Sequence, residues 1–170
     1  MLDFMTPAAT FNQQAVLDGL SARIADLLSS GLYFPCVLVV HPAIAMLQTA
    51  RNYLASQQQW PTVSVGAFLS AALSEVPFSV WQRTAQRSFH DEMLWQAPGP
   101  AICADIDLLF EPSLGLDPLK LLRDASRKTP MVVMWPGQYE DNWLSYAVPE
   151  HTHHRTWRQT DLCNQCIIPL

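Results

Sequence analysis

The fold prediction starts from the stretch Ala101-Ile-Cys-Ala-Asp-Ile-Asp-Leu-Leu-Phe110, an apolar run that contains two acids. Pro98-Gly-Pro100 precedes this run and Pro112 follows it, and boundaries of this kind are typical of a buried β-strand. The first acid, Asp105, stands where we expect the strand to reach the surface. The sequence therefore predicts a buried strand over 101–110 that presents carboxylates as it surfaces.

An apolar strand followed by an acid is typical of the Walker B segment of nucleotide-binding α/β proteins, in which the acid helps to hold magnesium. On this interpretation Asp105 is the Walker B-like residue. The pattern is short, and it is equally typical of a parallel strand whose last residues are acidic for no catalytic reason. Both interpretations stay open at this point.

Strands and helices are predicted to alternate along the rest of the chain. The apolar run 35–40 predicts a strand, which turns at His41-Pro42 into a helix over 43–56. The remaining predicted elements are a helix over 11–30 capped by Asn12, a strand over 60–65, helices over 66–73, 78–95 and 119–126, a strand over 131–135 stopped by Pro136-Gly137, and an edge strand over 143–148. Strands that are apolar throughout and alternate with helices favour an α/β fold of three layers, with a short, mainly parallel sheet between helices.

The length of 170 residues suits a single domain over 1–170. Within it we expect an N-terminal helix in 1–31 and a short C-terminal tail, 150–170, that packs on the sheet. The chain is 49% hydrophobic and only 15% charged, which favours a surface partly covered by a protein partner. With a net charge of −5 and no basic run, we expect contact with nucleic acid only through partners.

The sequence also indicates a cytoplasmic protein with no membrane association. No signal-peptide pattern opens it, and no apolar run approaches the ~18 residues of a membrane span. Two of the four cysteines, Cys36 and Cys103, fall in predicted buried strands, where a reduced thiol packs as a small hydrophobic group.

A zinc site is the metal hypothesis that the tail raises. Cys163 and Cys166 have the spacing of half a site, and His151, His153 and His154 precede them by about ten residues. That order is not the order of a standard zinc finger. The alternative, which we favour, is a reduced cysteine pair beside an apolar terminal strand, with surface histidines and no metal.

The predicted turn between the strand over 35–40 and its helix has the arrangement of a P-loop but not its chemistry. A P-loop needs glycines that expose backbone N–H groups, a lysine for the phosphates, and a hydroxyl for magnesium. The segment His41-Pro-Ala-Ile-Ala-Met-Leu-Gln-Thr49 has no glycine and no lysine, and Pro42 removes one N–H donor. With Thr49 as the nearest hydroxyl, we predict a degenerate nucleotide site formed by His41, Pro42, Thr49 and Asp105.

Five segments in the second half carry a resemblance to a known family. They are Asp105-Ile-Asp-Leu-Leu-Phe-Glu-Pro-Ser-Leu114, Leu116-Asp-Pro-Leu-Lys-Leu-Leu-Arg123, Ser126-Arg127, Val132-Val-Met-Trp-Pro-Gly137 and Leu144-Ser-Tyr-Ala-Val-Pro149. In this order they resemble the small P-loop protein family BrxF of the bacteriophage-exclusion (BREX) antiviral systems. Upstream of residue 105 only the order of elements agrees. Members of the family carry an intact Walker A turn, and this chain departs from them there.

The resemblance implies a P-loop NTPase-like fold, an AAA+/RecA-like core without an intact Walker A, in an antiphage context. The leading functional hypothesis is a non-catalytic, partner-binding subunit of a defence complex, with no cofactor. The alternative is an active or partner-completed ATPase of the same kind of complex that uses ATP and magnesium, with Asp105 on the metal and Arg127 acting across an interface. The expected partners are other protein subunits, and a homo-oligomer is a further alternative.

Overall fold

A computed structural model describes residues 7–170, with side chains from Asn12 onward. The helices are α1 Pro7–Ser29, α2 Ile44–Gln58, α3 Val65–Ser74, α4 Trp81–Trp95 and α5 Pro118–Ser126. The strands are β1 Cys36–His41, β2 Thr62–Ser64, β3 Ala101–Ala104, β4 Met131–Glu140, β5 Trp143–Tyr146, β6 Arg155–Trp157 and β7 Ile167–Pro169. Four single turns of 3₁₀-helix span Phe78–Val80, Asp107–Phe110, Pro112–Leu114 and Asn164–Cys166.

The sheet confirms the predicted α/β class. Its main body is parallel, in the order β2-β3-β4-β1-β7. The second half of β4 leaves this body and pairs antiparallel with β5, which pairs in turn with β6. If the five parallel strands alone are numbered along the chain, so that β7 is the fifth, their order in the sheet is 2-3-4-1-5.

Helices cover both faces of the parallel strands, as predicted. Alternate residues of β1 belong to two separate cores, because successive side chains point to opposite faces of a sheet. Val37 and Val39 pack with α1 and α2, whereas Leu38 and Val40 pack with α3, α4 and α5. All four side chains are almost completely buried, which explains why this strand is apolar throughout.

The strand predicted over 101–110 is shorter than expected, because β3 ends at Ala104. Asp105 has a left-handed backbone with φ of 53°, and its carbonyl accepts a hydrogen bond from the backbone N–H of Gly66 at 2.8 Å. The apolar residues that follow are used in a 3₁₀ turn, where Leu109 and Phe110 are fully buried. An apolar run fixes burial but does not distinguish a strand from a buried turn.

The prediction that Pro136-Gly137 stops the next strand is wrong. Pro136 lies opposite His41 in the β1–β4 register, and its carbonyl accepts a hydrogen bond from the N–H of Ala147 at 2.8 Å. A Cβ at Gly137 would lie 1.9 Å from the Ser145 carbonyl oxygen, so glycine permits this close pairing with β5. The strand continues to Glu140, and β5 lies between β4 and β6 instead of at an edge.

The two ends of the chain also differ from expectation. The first helix begins at Pro7, so Asn12 lies within it and does not cap it. The tail 150–170 does more than pack on the sheet, because it contributes two strands. Its last strand, β7, pairs in parallel with β1 and forms one edge of the parallel body.

Candidate functional site at the carboxyl edge of the sheet

A small cleft opens beside α2 at the carboxyl ends of β3 and β4. Its volume is about 40 Å³. The residues that line it are Ile44, Leu47, Gln48 and Arg51 of α2, Ala104, Asp105, Ile106 and Asp107 at the end of β3, and Met134 and Pro136 of β4. The carboxyl edge of a parallel sheet is where α/β proteins bind ligands, so this cleft is the candidate site.

The turn between β1 and α2 has the predicted course, but its amide groups are partly occupied. The N–H of Ala43 donates to Nδ1 of His41 at 2.9 Å. Pro42 has no N–H, and Ala43 stands at the N-cap of α2 with no side-chain cap. Two consecutive positions of the turn therefore offer no free backbone donor to a ligand.

Asp105 lines the cleft and is exposed to solvent. Its Oδ2 accepts a hydrogen bond from the hydroxyl of Ser64 at 2.7 Å. Ser64 ends β2, and β2 pairs with β3 on the side opposite β4 and β1. The carboxylate is thus engaged on the side of its strand away from the β1–α2 turn, while Oδ1 accepts no hydrogen bond within residues 12–170.

Asp107 is the second acid of the cleft, and β5 fixes its position. The hydroxyl of Tyr146 donates to Asp107 Oδ1 at 2.7 Å. Tyr146 is only 2% exposed, and its ring stacks on Phe110 with the ring centroids 3.5 Å apart. Burial, and after it the hydrogen bond to Asp107, raises the pKa of Tyr146 well above its ordinary value. The antiparallel hairpin therefore supports the turn that follows β3.

Of the residues predicted for a degenerate nucleotide site, the structure brings only Asp105 into the lining of the cleft. His41 and Pro42 form the adjoining turn. Thr49 is exposed, its hydroxyl donates to the Ala45 carbonyl at 3.0 Å, and it does not line the cleft. Helical geometry explains this, because Leu47, Gln48 and Arg51 share a face of α2 that does not include position 49.

Arg127 lies at the other end of the sheet. It follows α5 directly and precedes the start of β4, so it stands at the amino edge of the parallel strands. Its guanidinium carbon lies 4.7 Å from the ring centroid of Tyr33, a cation–π contact. Within one chain, Arg127 and Asp105 are therefore not brought together.

The sequence reasoning missed the polar residues that α2 supplies, Gln48 and Arg51. With Ile44 they stand at positions i, i+4 and i+7, a spacing that places three side chains on one face of a helix. Leu47, Ala50 and Leu54 are buried, but Ile44 is 50% exposed because the first turn of α2 extends to the cleft. Arg51 forms no salt bridge within 4.0 Å in the described part of the chain.

The tail does not assemble the zinc ligands into one group. Cys163 is exposed and Cys166 is buried, and burial, with a smaller contribution from Cys163, raises the pKa of the Cys166 thiol to about 11. Nδ1 of His151 instead accepts the backbone N–H of His153 at 3.1 Å. Across residues 12–170 no group of three or more His, Cys, Asp or Glu side chains is arranged to hold a metal ion.

The two remaining cysteines confirm the sequence prediction. Cys36 and Cys103 are completely buried in β1 and β3. Burial raises the pKa of Cys103 to about 12, and it raises the pKa of Cys36 further. Because the thiolate is the reactive form, these two thiols are structural.

The comparisons with known proteins give no relative. No family model matches the chain, and neither the curated proteins nor the solved structures contain a significant match. In the part of the chain that the structure describes, no helix combines the length and the apolar character that crossing a membrane requires.

Proposed function

We propose that this chain is a non-catalytic, partner-binding subunit of a bacterial antiphage complex of the BREX type, built on a P-loop NTPase-like core that has lost its phosphate-binding turn. The BREX context comes from the resemblance of residues 105–149 to the BrxF family. The fold and the geometry of the site support the rest of the proposal.

The order of the parallel strands supports the P-loop NTPase-like core. In the AAA+/RecA-like core that the resemblance implies, the strand that precedes the phosphate turn is central, and one strand lies between it and the strand with the Walker B acid. Here β1 precedes the turn at His41, and β4 separates it from β3, which is followed by Asp105. Both segments reach the same, carboxyl edge of the sheet.

The observation that carries the non-catalytic proposal is the hydrogen bonding of the β1–α2 turn. A phosphate is bound at such a turn by several backbone N–H groups that point at it. Pro42 lacks this group, and the N–H of Ala43 is taken by His41. No lysine in the segment 41–49 compensates for them.

The size of the cleft supports the same proposal. A pocket for a small-molecule ligand typically has a volume of about 300 to 1,000 Å³. The cleft at the carboxyl edge has about 40 Å³. The small volume of the cleft therefore favours a ligand smaller than a nucleotide.

Exposed apolar side chains favour a protein partner. Trp95 at the end of α4 is 83% exposed and its neighbour Leu94 is 47% exposed. Phe78 is 63% exposed at the start of the same helical segment. Large aromatic side chains are frequent anchors of protein interfaces. With only 15% charged residues, the chain has few charged groups to separate these exposed apolar side chains on its surface.

Calorimetric titration of the full chain with ATP and magnesium tests the proposal. We expect no binding in the micromolar range. Micromolar binding that Asp105→Asn weakens would contradict the non-catalytic proposal and favour the ATPase alternative. Purification of the chain with its associated proteins from the native host tests the antiphage context, and a partner set without other defence subunits would contradict that part.

A partner-completed ATPase remains the second candidate, because Asp105 has the position of a Walker B acid and keeps one carboxylate oxygen free of hydrogen bonds from the described residues. Arg127 could contribute only to a neighbouring subunit whose carboxyl edge faces the amino edge of this one. ATP hydrolysis by the assembled complex distinguishes the candidates. If the chain is non-catalytic, Asp105→Asn leaves the rate of ATP hydrolysis unchanged. If a partner completes the site, Asp105→Asn abolishes the part of the hydrolysis that takes place at this site.

A further inference from the structure

The volume of the cleft at the carboxyl edge is about that of the terminal group of one side chain. By the measure in which a single water needs about 10 to 15 Å³, its volume of about 40 Å³ holds about three waters. That is close to the four heavy atoms of a guanidinium group. The walls are largely apolar, with Leu47 and Met134 on opposite elements, and Asp105 and Asp107 are the acids of the lining. Such a cleft suits an aliphatic stem that ends in a polar head.

The two carboxylates of this lining are already oriented by hydrogen bonds. Oδ2 of Asp105 is held by Ser64 and Oδ1 of Asp107 is held by Tyr146, each at 2.7 Å. Each carboxylate keeps its other oxygen without a hydrogen bond from the described residues. Because both side chains are fixed before binding, a ligand that meets them does not bear the entropy cost of ordering them.

The charge of the lining favours a cation. Asp105 and Asp107 contribute two negative charges, and Arg51 contributes one positive charge from the α2 wall. Arg51 neutralises neither acid directly, since no salt bridge within 4.0 Å joins it to any residue in 12–170. The lining therefore carries a net negative charge, which selects against phosphate and for a basic group.

We infer that this cleft receives one arginine side chain of a partner protein, with the guanidinium group at Asp105 and Asp107 and the aliphatic stem along Ile44 and Leu47. The inference rests on the partner-binding function proposed above. Arginine fits better than lysine because its planar fork can bond two carboxylate oxygens at once and is less strongly hydrated. Ile44, which is 50% exposed, supplies apolar contact at the rim.

An NMR titration of the ¹⁵N-labelled full chain with N-acetyl-arginine amide tests the inference. We expect saturable shifts of the backbone signals of 104–107 and Gln48, with millimolar affinity for a single side chain. The citrulline analogue, which has the same shape without the charge, should bind about fivefold more weakly. Equal shifts with both compounds, or shifts centred on other acidic residues, would overturn the inference.

Charge variants sharpen the same titration. The double variant Asp105→Asn with Asp107→Asn keeps acceptors for Ser64 and Tyr146, so the fold is retained while affinity for the arginine probe falls about tenfold. The control Glu140→Gln removes an exposed acid outside the cleft and should leave affinity unchanged. An equal loss in the control would show that only the net charge matters and would overturn the site.

Arg51→Gln tests whether the ligand of the cleft is a cation or an anion. For a cationic ligand, removal of a like charge strengthens binding of the arginine probe, by about two- to threefold. For an anionic ligand such as a nucleotide, the same change weakens binding. Weaker binding of the arginine probe to Arg51→Gln would therefore overturn the inference.

A parallel titration with ATP and magnesium separates this inference from the proposed function. If neither probe shifts the cleft signals, the arginine site is wrong and the non-catalytic proposal stands. If ATP binds with micromolar affinity and the arginine probe also binds as expected, the non-catalytic proposal is wrong and the arginine site stands.

Discussion

The β1–α2 turn and the turn that follows β3 lie at the same edge of the sheet, but they are closed by contacts of different range. At the first, the N–H of Ala43 is satisfied by His41, two residues away. At the second, Asp105 and Asp107 are fixed by Ser64 and Tyr146, 41 and 39 residues away. A turn closed locally can change its residues while the rest of the fold stays as it is, whereas a turn tied to two other strands cannot.

Under the proposed function, this difference explains how the first turn could differ from a P-loop without loss of the fold. Its course is set by β1 and by the packing of Leu47, Ala50 and Leu54 against the sheet. The identity of the residues between them matters mainly for ligands. The second turn instead joins β2, β3 and β5, so we expect substitutions there to affect global stability.

Tyr146→Ala should produce the largest effect. It removes a buried ring stacked on Phe110 and leaves Asp107 without its donor. We expect a loss of about 3 to 5 kcal/mol in the free energy of unfolding, measured by urea denaturation followed by tryptophan fluorescence and circular dichroism. Tyr146→Phe is the control, because it removes only the hydroxyl and should cost about 1 kcal/mol. A cost below 1 kcal/mol for Tyr146→Ala would show that the hairpin does not support this turn.

Asp105→Ala should cost about 1 to 2 kcal/mol, for two reasons. The hydroxyl of Ser64 loses its acceptor, and alanine tolerates the left-handed backbone at this position less well than aspartate. Asparagine accepts the same hydrogen bond and adopts the same conformation readily, so Asp105→Asn should stay within about 0.5 kcal/mol of the natural chain. If both variants lose stability equally, the negative charge and not the hydrogen bond is the stabilising feature.

His41→Ala should cost about 1 kcal/mol, the typical net contribution of one hydrogen bond, since it leaves the N–H of Ala43 without its acceptor. The effect should stay local. Hydrogen exchange is expected to accelerate at Ala43 and in the first turn of α2, and to remain unchanged in β3. His41→Asn, whose side-chain oxygen can accept the same N–H, is the matched control. Faster exchange in β3 would show that the two turns are coupled after all.

The same distinction decides how much the sequence could predict. Cys36–His41 and Ile44–Gln58 follow from local signals, namely a run of β-branched residues, a proline turn and helical spacing, and both were predicted to within two residues. The start of α5 is also set locally: Asp117 accepts the N–H of Lys120 at 3.0 Å, and Pro118 begins the helix. In each of these cases the deciding residues are neighbours in the chain.

The errors in β3 and β4 fall where the deciding contact is distant in sequence. The end of β3 depends on a hydrogen bond from Gly66 to Asp105, and an apolar run gives no sign of it. The passage of β4 through Pro136 and Gly137 depends on β5, which offers an N–H to the proline carbonyl and approaches the glycine closely. For the candidate site the sequence supplied Asp105, but the side chains that face it from α2 follow from the crossing of α2 over β3 and β4.

Thr49→Ala should have the smallest effect, and it tests whether position 49 takes part in ligand binding at the first turn. In a working P-loop the hydroxyl near the start of the helix binds magnesium, so its loss removes nucleotide binding. Here the Thr49 hydroxyl bonds to the Ala45 carbonyl of its own helix and faces away from the cleft. Because alanine has the higher helix propensity, we expect a gain of about 0.5 kcal/mol in the free energy of unfolding and no change in the binding of the arginine probe. A loss of stability, or a change in ligand binding at the cleft, would mean that position 49 still belongs to the site and that the first turn is less independent of it than its hydrogen bonds indicate.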